Sequence, residues 1–341
     1  MSDLGIVILA AGHGTRMNSK KNKILHEVGG SPMVELVFES SAAVTNIPPV
    51  VVVGPEDNAI RSILGDRAFY VEQPQQMGTG HATMMATGAL RGRSRQVLVT
   101  YADMPLLRSG TMDHLARKQE HSQASVVILT VMGDSTSAFG RVLRNNNGRV
   151  TEIVEVAEAK RRPDAQALLN SSELNAGVYC FDSEWLWANL PMLPLRQARD
   201  GDEYYLTDMV GLAVSQGLTV EAIVVDDPDE CLGAGTRQEL AVVEKAYRRR
   251  INNSWMANGV TMLDPEVTYI DKTVTIGRDT VIWPNTYLFG ATDVGEGCLL
   301  GPNAIIRDAN IGHGCRIEQA VVEKVAIDDR TVVEPFSYLR G

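Results

Sequence analysis

The sequence has few cysteines, no excess of positive charge and no long apolar run, and each shortage excludes a class of protein. Its 341 residues contain four cysteines, and none belongs to a Cys-x-x-Cys pair. A disulfide framework and a structural zinc site are therefore not expected. We predict reduced, buried thiols in a cytoplasmic protein.

Basic residues are outnumbered, because 32 Lys and Arg face 42 Asp and Glu and give a net charge of −10. Such a chain is poorly suited to nucleic acid or anionic lipid. No stretch approaches the ~20 apolar residues of a membrane helix. Met1 to Gly5 lack the basic and apolar regions of a secretory signal. We expect neither a nucleic-acid partner nor a membrane, so a phosphorylated ligand must meet local cations or backbone N–H groups.

The first two-thirds of the chain alternates short apolar runs with segments of helix length. The runs are Ile6–Leu9, Val50–Val53, Val97–Thr100, Val126–Leu129 and Val220–Val225. This alternation is typical of a mostly parallel sheet that is buried on both faces. Residues 33–43 and 80–90 are predicted as crossover helices. The predicted fold class of this part is α/β.

A different composition begins near Thr236. Residues 236–257 contain strong helix formers and no Gly or Pro, and Thr236 can cap the start. We predict one linking helix over this range. Its basic triplet, Arg248 to Arg250, is assigned to a solvated helix face, because no wider basic patch supports nucleic-acid binding.

Aliphatic residues recur every six positions after Gly259. They are Ile270, Ile276, Ile282, Leu288, Val294, Leu300 and Ile306, and the series continues in steps of five and six through Ile311, Ile317, Val322, Ile327, Val333 and Leu339. Neither a helix nor a plain strand has this period, whereas each side of a parallel β-helix coil turns one such residue inward. An ordinary β-rich domain is the alternative. The predicted domains are 1–235, 236–257 and 258–341.

A glycine turn with cations follows the first predicted strand. Gly12 and Gly14 allow backbone N–H groups to face a ligand, and Arg16 and Lys23 come shortly after. This combination is typical of a triphosphate-binding loop. It is neither a complete Gly-x-Gly-x-x-Gly dinucleotide motif nor a Walker sequence. Asp103 follows another predicted strand, and one carboxylate with phosphate oxygens and water is a common magnesium arrangement.

Several segments together resemble the signature of sugar-1-phosphate nucleotidyltransferases. They are Leu9 to Met17, Lys23 to His26, Gly30 to Met33, Gln73 to Ala82, Tyr101 to Pro105, Gly140-Arg141, Ile153 to Glu155 and Leu174 to Gly177. The resemblance is most specific for the N-acetylglucosamine-1-phosphate uridyltransferase half of the bifunctional enzyme that makes UDP-N-acetylglucosamine. It implies a Rossmann-like nucleotidyltransferase domain with a mixed, mostly parallel sheet, then a linking helix and a short left-handed parallel β-helix.

The resemblance also implies a reaction and a set of site residues. UTP and N-acetyl-α-D-glucosamine 1-phosphate would give UDP-N-acetylglucosamine and pyrophosphate with the help of Mg²⁺. Arg16 and Lys23 would be catalytic, and Asp103 would bind the metal. The implied nucleotide-binding residues are Leu9, Ala10, Ala11, Gly12, Gly14, Gln73, Gln76, Gly78 and Thr79. The implied sugar-binding residues are Tyr101, Gly140, Glu155 and Asn175.

Some positions differ from the family pattern. Asn22 stands where a proline usually precedes the lysine. Gly235 matches the family asparagine that is a second magnesium ligand. We therefore expect the metal to be held by Asp103, phosphates and water alone, or with help from Asp226 or Asp227. His81, next to the glutamines, is expected to pack or cap at a helix start rather than to catalyse.

Two alternative functions stay open at this point. One is nucleotidyl transfer to another sugar 1-phosphate, such as glucose 1-phosphate with UTP or dTTP. The other is a catalytically silent, sugar-nucleotide-binding scaffold subunit. The family's acetyl transfer depends on coils beyond Gly341, so no acetyltransferase activity is expected of this polypeptide. The β-helix is expected to form a homotrimer, as related repeats do.

Overall fold

The computed structural model describes residues 3–12, 14–55, 57–134, 139–198 and 201–341. The chain divides into two units, of which the first contains Met1–His26 and Met33–Arg237 and the second contains Glu27–Pro32 and Gln238–Gly341. No helix in the described part is long and apolar enough to cross a bilayer. All four cysteines are free and buried, as predicted.

The first unit is built on a mixed sheet. The strands up to residue 224 are β1 Leu4–Leu9, β2 Glu27–Val28, β3 Ser31–Pro32, β4 Val50–Val53, β5 Phe69–Glu72, β6 Gln96–Tyr101, β7 Val126–Met132, β8 Arg141–Arg144, β9 Val150–Val154, β10 Glu173–Asp182, β11 Arg196–Ala198, β12 Gly201–Glu203 and β13 Val220–Val224. Of these, β2 and β3 pair with each other and belong to the second unit. The sheet order is β13-β7-β10-β6-β1-β4-β5, with β8 and β9 attached beside β10. All five predicted runs are strands of this sheet. Its antiparallel pairs are β10 with β6, β7 and β8, and β8 with β9.

Helices cover both faces of this sheet. They are α1 Met33–Ala42, α2 Asn58–Leu64, α3 Gly78–Met85, α4 Thr87–Leu90, α5 Ser109–Ser122, α6 Val156–Ala159, α7 Ala165–Leu169, α8 Ser183–Asn189 and α9 Asp208–Ser215. The crossover helix predicted over 80–90 is two helices. The break falls at Ala86, whose N–H bonds to Thr83 in a tighter turn, just before Thr87 and Gly88, which are poor helix formers.

The strands alternate their side chains between two apolar cores. On one face, Ile6 and Ile8 of β1 pack with residues of α1 and α5. On the other face, Val7 and Leu9 pack with residues of α3, α4, α8 and α9. Side chains of a strand point alternately to opposite faces, so an unbroken aliphatic run fills both cores.

The second unit contains a parallel β-helix, which confirms the interpretation of the six-residue repeat. Its strands are β14 Thr261–Met262, β15 Thr268–Ile270, β16 Thr275–Ile276, β17 Val281–Ile282, β18 Thr286–Phe289, β19 Asp293–Val294, β20 Leu299–Leu300, β21 Ile305–Arg307, β22 Asn310–Ile311, β23 Arg316–Ile317, β24 Val321–Glu323, β25 Ala326–Ile327, β26 Val332–Val333 and β27 Tyr338–Arg340. They form three parallel sheets. The predicted inward residues are buried, except that Ile327 and Leu339 are partly buried against the same core.

The change of step after Ile306 is a shortening of the coils at their corners. Leu288 pairs with Ile306, 18 positions later, and Ile306 pairs with Val322, only 16 positions later. Asp308 and Gln319, at intervening corners, have φ values of 49° and 50°. The inward residues therefore stay stacked while the turns absorb the missing positions.

The linking helix is α10, Arg237–Ala257. Its side closest to the β-helix is anchored by Asn252, whose Nδ2 donates to Pro265 O at 2.8 Å and Thr268 O at 3.0 Å. The basic triplet, predicted to form a solvated face, is partly solvated, since Arg249 is exposed and Arg248 and Arg250 are partly buried. The Arg248 guanidinium lies 4.3 Å from the centre of the Tyr269 ring, where cation–π attraction holds it.

Candidate active site

The predicted site residues follow strands that end at one edge of the sheet. β1, β4 and β6 are parallel neighbours, so their carboxyl ends lie side by side, where α/β sheets bind ligands. The cation loop follows β1, and Asp103 follows β6. Leu9 and Ala10 are buried at this strand end, where Leu9 O accepts from Ala102 and Ala10 N donates to Val52.

Lys23 and Asp103 form an ion pair at this edge. Lys23 Nζ donates to Asp103 Oδ2, and the two side chains are 20% and 18% exposed. A Cβ on Gly14 would lie 2.6 Å from Lys23 Cβ, and a Cβ on Gly12 would lie 3.8 Å from Lys23 Cε. Gly14 also has a φ of 63°, which favours glycine. The loop glycines therefore leave room for the lysine side chain to reach Asp103.

The other cations of the loop face solvent. Arg16 lies in the 3-10 turn Thr15–Met17 and is exposed, while Met17 of the same turn is buried and holds it in place. Lys20 and Lys21 are also exposed. The structure thus gathers several positive charges beside the carboxyl ends of the strands, although the whole chain is acidic. Such a local concentration is what a triphosphate requires.

Asn22 performs a role that the sequence did not reveal. Its Oδ1 accepts from Ile24 N at 3.3 Å and so caps the turn Lys23–Leu25, while its Nδ2 donates to Asp57 Oδ2 at 3.3 Å. These bonds restrain the residue before Lys23 in the place of the usual proline. A cavity of about 230 Å³ lies beside them, lined by Ala11, Ser19, Lys20, Lys21, Asn22, Gly54, Pro55, Asp57 and Gln76.

Of the two predicted uracil-binding glutamines, Gln76 lines this cavity and Gln73 is buried. Gln76 Nε2 donates to Ala11 O, which ties the loop after β5 to the loop after β1. Gln73 is 3% exposed, and its Nε2 donates to Gly78 O at 3.2 Å. Its Nε2 also lies 3.1 Å from His81 Nδ1, which fits the packing role predicted for that histidine. A base bound here would compete with Ala11 O and Gly78 O for these amide donors.

Gly78 and Thr79 are fixed by the chain near residue 204. Gly78 has a φ of 87°, and a Cβ there would lie 2.7 Å from Tyr204 O. Thr79 Oγ1 accepts from Leu206 N at 3.0 Å. The glycine is required by both its conformation and this close approach. The start of α3 is thus held in one place beside Gln73.

The predicted sugar-binding residues meet at a bulge in β10. The register of β10 against β7 shifts between Asn175 and Tyr179. Gly177, with a φ of 84°, lies so close to Tyr101 that a Cβ would be 2.7 Å from Cε2 of that ring. Asn175 Nδ2 donates to the Tyr179 hydroxyl at 2.8 Å. The bulge therefore brings the Asn175 side chain and the Tyr101 ring to the same place.

Glu155 faces this tyrosine from the end of β9. Burial raises the pKa of Glu155, and a hydrogen bond with the Thr207 side chain partly opposes that shift. Burial also raises the pKa of the Tyr101 hydroxyl, and the Glu155 and Asp103 carboxylates raise it further. A Cβ on Gly140 would lie 3.5 Å from the Glu155 carboxylate oxygens. The gap at Gly140 leaves those oxygens accessible to a hydroxyl group.

The segment that matches the family's second metal ligand approaches Asp103 by its backbone. Ala234 N donates to Asp103 O at 3.1 Å. Of the predicted substitute ligands, Asp227 is engaged with Arg108 at 2.6 Å, and Asp226 is exposed. Among the described residues no three His, Cys, Asp or Glu side chains form a metal cage. Asp103 is therefore the carboxylate that the site offers directly.

Sequence reasoning missed the structural roles of Asn22, Asp57, Tyr179 and Thr207, which contact the predicted residues or their neighbours. Asp57 could have been found, since it follows the Val50–Val53 run as Asp103 follows its own strand. Thr207 and Tyr179 carry no such signal, because their partners lie far away or across a bulge. His13, within the glycine turn, lies outside the described residues.

Comparison with known proteins decides the family. The MobA-like NTP transferase domain matches residues 6–178. The bifunctional protein GlmU of Halalkalibacterium halodurans is 40% identical over 340 residues, which cover 100% of this chain and 73% of that protein. GlmU of Pelobacter propionicus is 38% identical over 344 residues, covering 100% and 73%. The chain belongs to the GlmU family.

Solved structures agree on the fold. A chain from Bacillus anthracis, assigned as a glucose-1-phosphate thymidylyltransferase and solved in complex with sucrose, has a TM-score of 0.56 and 19% identity, covering 72% of this chain and 95% of that one. Membership of the GlmU family confirms the resemblance found in the sequence, including the left-handed β-helix region. The chain is a sugar-phosphate nucleotidyltransferase, an enzyme class that acts on a nucleotide and a sugar phosphate and is generally metal-dependent.

Proposed function

We propose that this chain joins UTP and N-acetyl-α-D-glucosamine 1-phosphate, giving UDP-N-acetylglucosamine and pyrophosphate with Mg²⁺. The observation that carries the proposal is the pairing of Lys23 with Asp103 at the strand edge, between the glutamine loop and the Tyr101 ring. Phosphates held at this pair would have the base-binding amides on one side. The Asn175 and Glu155 side chains would receive the sugar on the other.

The residues present fit a magnesium ion. Asp103 supplies one partly buried carboxylate, and the cations beside it imply that phosphates bind there. Mg²⁺ prefers to keep water and substrate phosphates among its ligands rather than to occupy an all-protein cage. When bound, it would neutralise charge on the phosphate oxygens. Asp103 would hold it, and the side chains of Lys23 and Arg16 would hold the phosphates themselves.

The reaction needs positioning and charge stabilisation rather than a protein nucleophile. A phosphate oxygen of the sugar phosphate forms a bond to the α-phosphorus of UTP, while the bond to pyrophosphate breaks. Lys23 and Arg16 stabilise the negative charge that spreads over the α-phosphate and the leaving pyrophosphate. Gln73, Gln76 and the backbone near Gly78 orient the uracil, and a near-linear approach follows from binding both substrates at one edge.

A pyrophosphate-release assay tests this proposal. The purified chain is mixed with UTP and N-acetylglucosamine 1-phosphate, in Mg²⁺ or in EDTA, beside parallel reactions with glucose 1-phosphate and with dTTP. We expect release only with Mg²⁺, and fastest with the N-acetylated substrate. Faster release from glucose 1-phosphate would replace the sugar assignment. No release from any pair would favour the silent scaffold.

We also propose that the β-helix forms a homotrimer. One of its sheets carries an outward apolar row in register, formed by Tyr269, Tyr287, Ile305, Val321 and Tyr338. A contiguous apolar row of this kind favours a protein interface. Sedimentation equilibrium should give three chains for the native protein and one for Ile305→Lys. Thr275→Lys, on another sheet, is the control that should stay trimeric.

A further inference from the structure

Glu230 is a buried carboxylate that links two segments far apart in sequence. It lies in the 3-10 turn Pro228–Cys231, and its side chain is only 4% exposed. Its Oε2 accepts from Arg108 N at 3.0 Å and from Thr111 Oγ1 at 2.7 Å. The Arg108 guanidinium adds charge, with Nε 3.7 Å from Glu230 Oε1. A carboxylate this deeply buried is tolerated because it is paired and hydrogen-bonded.

These bonds place Glu230 at the first turn of α5. The N-cap residue, Arg108, makes no side-chain cap of its own. Glu230 instead accepts the N–H of Arg108 and the hydroxyl of Thr111 from another part of the chain, and its negative charge is favoured at a helix N-terminus. The segment before this helix, residues 102–108, begins directly at the end of β6 and contains Asp103. Fixing the helix start therefore fixes one end of the Asp103 segment.

A second link joins the same two segments at Asp103 itself. Ala234, four positions after Glu230, donates its N–H to Asp103 O at 3.1 Å. A Cβ on Gly233 would lie 3.5 Å from Asp103 O and 4.0 Å from Asp103 Oδ1. The chain from Glu230 to Ala234 thus contacts the Asp103 segment at both of its ends. Because residue 233 is a glycine, no side chain at that position crowds the Asp103 carboxylate.

We propose that Glu230 is a positioning residue, which holds the Asp103 backbone so that its carboxylate can bind the divalent cation of the nucleotide complex. Glu230 acts through Arg108 and Thr111 on one side and through the segment ending at Ala234 on the other. This role rests on the proposed function, because it takes Asp103 as the metal ligand. It also gives a use to the segment in which Gly235 replaces the family asparagine.

Binding of Mn²⁺ in the presence of UTP, followed by electron paramagnetic resonance, tests the proposal without needing turnover. Glu230→Ala should weaken Mn²⁺ binding by about 10-fold, the scale seen when groups that orient metal ligands are removed. Glu230→Gln keeps an acceptor for the same donors, so it should restore most of the affinity. Thr111→Val removes one donor and leaves the Arg108 N–H, so it should have an intermediate effect.

Leu115→Ala is the control for a merely structural role. Leu115 is fully buried in α5, so its truncation should lower stability about as much as loss of Glu230. It should leave Mn²⁺ affinity unchanged. If Glu230→Ala binds Mn²⁺ with UTP as the native protein does, the positioning role is overturned and the proposed function stands. If the native protein itself binds no Mn²⁺ with UTP, both fall.

Discussion

Lys23 Nζ and Asp103 Oδ2 are hydrogen-bonded across 80 positions of sequence. In the proposed reaction the lysine binds the phosphates and the carboxylate binds the metal. Without substrate, the two side chains bind each other instead. A bound triphosphate would draw Lys23 away by offering more negative charge, and Asp103 would then be free to bind the cation. In the proposed reaction, metal binding and nucleotide binding would thereby be coupled through one ion pair.

Lys23→Met should separate these two roles. Transfer should fall by roughly 10²- to 10³-fold, as expected when a charge-stabilising donor is lost. Mn²⁺ binding without nucleotide should instead tighten by up to about 5-fold, because a partly exposed ion pair contributes about 0–1 kcal/mol. Steady-state rates and Mn²⁺ titration measure the two effects. Asp103→Asn is the control, which should lose both. Near-normal turnover in Lys23→Met would remove the central assignment.

Asn22 should be replaceable by proline but not by alanine. Asn22→Ala removes the cap of the Lys23 turn and the bond to Asp57, and should raise the KM for UTP, with a loss of about 1 kcal/mol in stability. Asn22 has a φ of −55°, which lies within the range that proline imposes. Asn22→Pro should therefore keep a KM close to the native value. Equal impairment in both variants would show that the restraint on φ is not what matters.

Gly78→Ala and Gly88→Ala form a matched pair. The first places a methyl group 2.7 Å from Tyr204 O at a φ of 87°, and should cost about 1–3 kcal/mol. It should also weaken UTP binding, measured by calorimetry, because Gln73 bonds to Gly78 O. A Cβ on Gly88 meets nothing within 4 Å, and alanine is the better helix former. That variant should unfold no earlier than the native protein and bind UTP normally.

Glu155 should make stability depend on pH. Its pKa is raised in the folded chain, so between its ordinary pKa and the folded value the native state holds more protons than the unfolded state. Stability therefore falls as pH rises through that window. Glu155→Gln should remove this fall. The urea midpoint of the variant minus that of the native protein should therefore increase from pH 4.5 upward and then level off. A difference that is constant with pH would contradict the shift.

The scaffold of this protein could be predicted because its signals are local. Val50–Val53 is buried on both faces of the sheet, and the inward residues of the β-helix repeat at a fixed step. Strand β10 was not predicted, because its Asn175, Ala176 and Gly177 interrupt the aliphatic pattern. The bulge there is stabilised by tertiary contact with Tyr101, which no local pattern encodes.

The candidate site was predictable only in part, for the same reason. Lys23 and Asp103 could be chosen because each follows a strand end or a glycine turn. Their contact required the sheet order, which places β1 beside β6. Glu230 could not be chosen, since the groups that donate hydrogen bonds to it lie at the start of a helix more than a hundred positions earlier. Asn22 departs from the proline of the family pattern, and only the structure shows that its side chain restrains the turn.

The shortened coils of the β-helix bear on how such a domain tolerates insertions and deletions. A residue lost at a corner such as Asp308 leaves the stacked aliphatic column intact, as the pairing of Ile306 with Val322 demonstrates. A residue lost inside a strand would instead turn its buried side chain toward water. Insertions and deletions in this domain should therefore occur mainly at the corners of the coils, where loops with new contacts can be added without disturbing the interior.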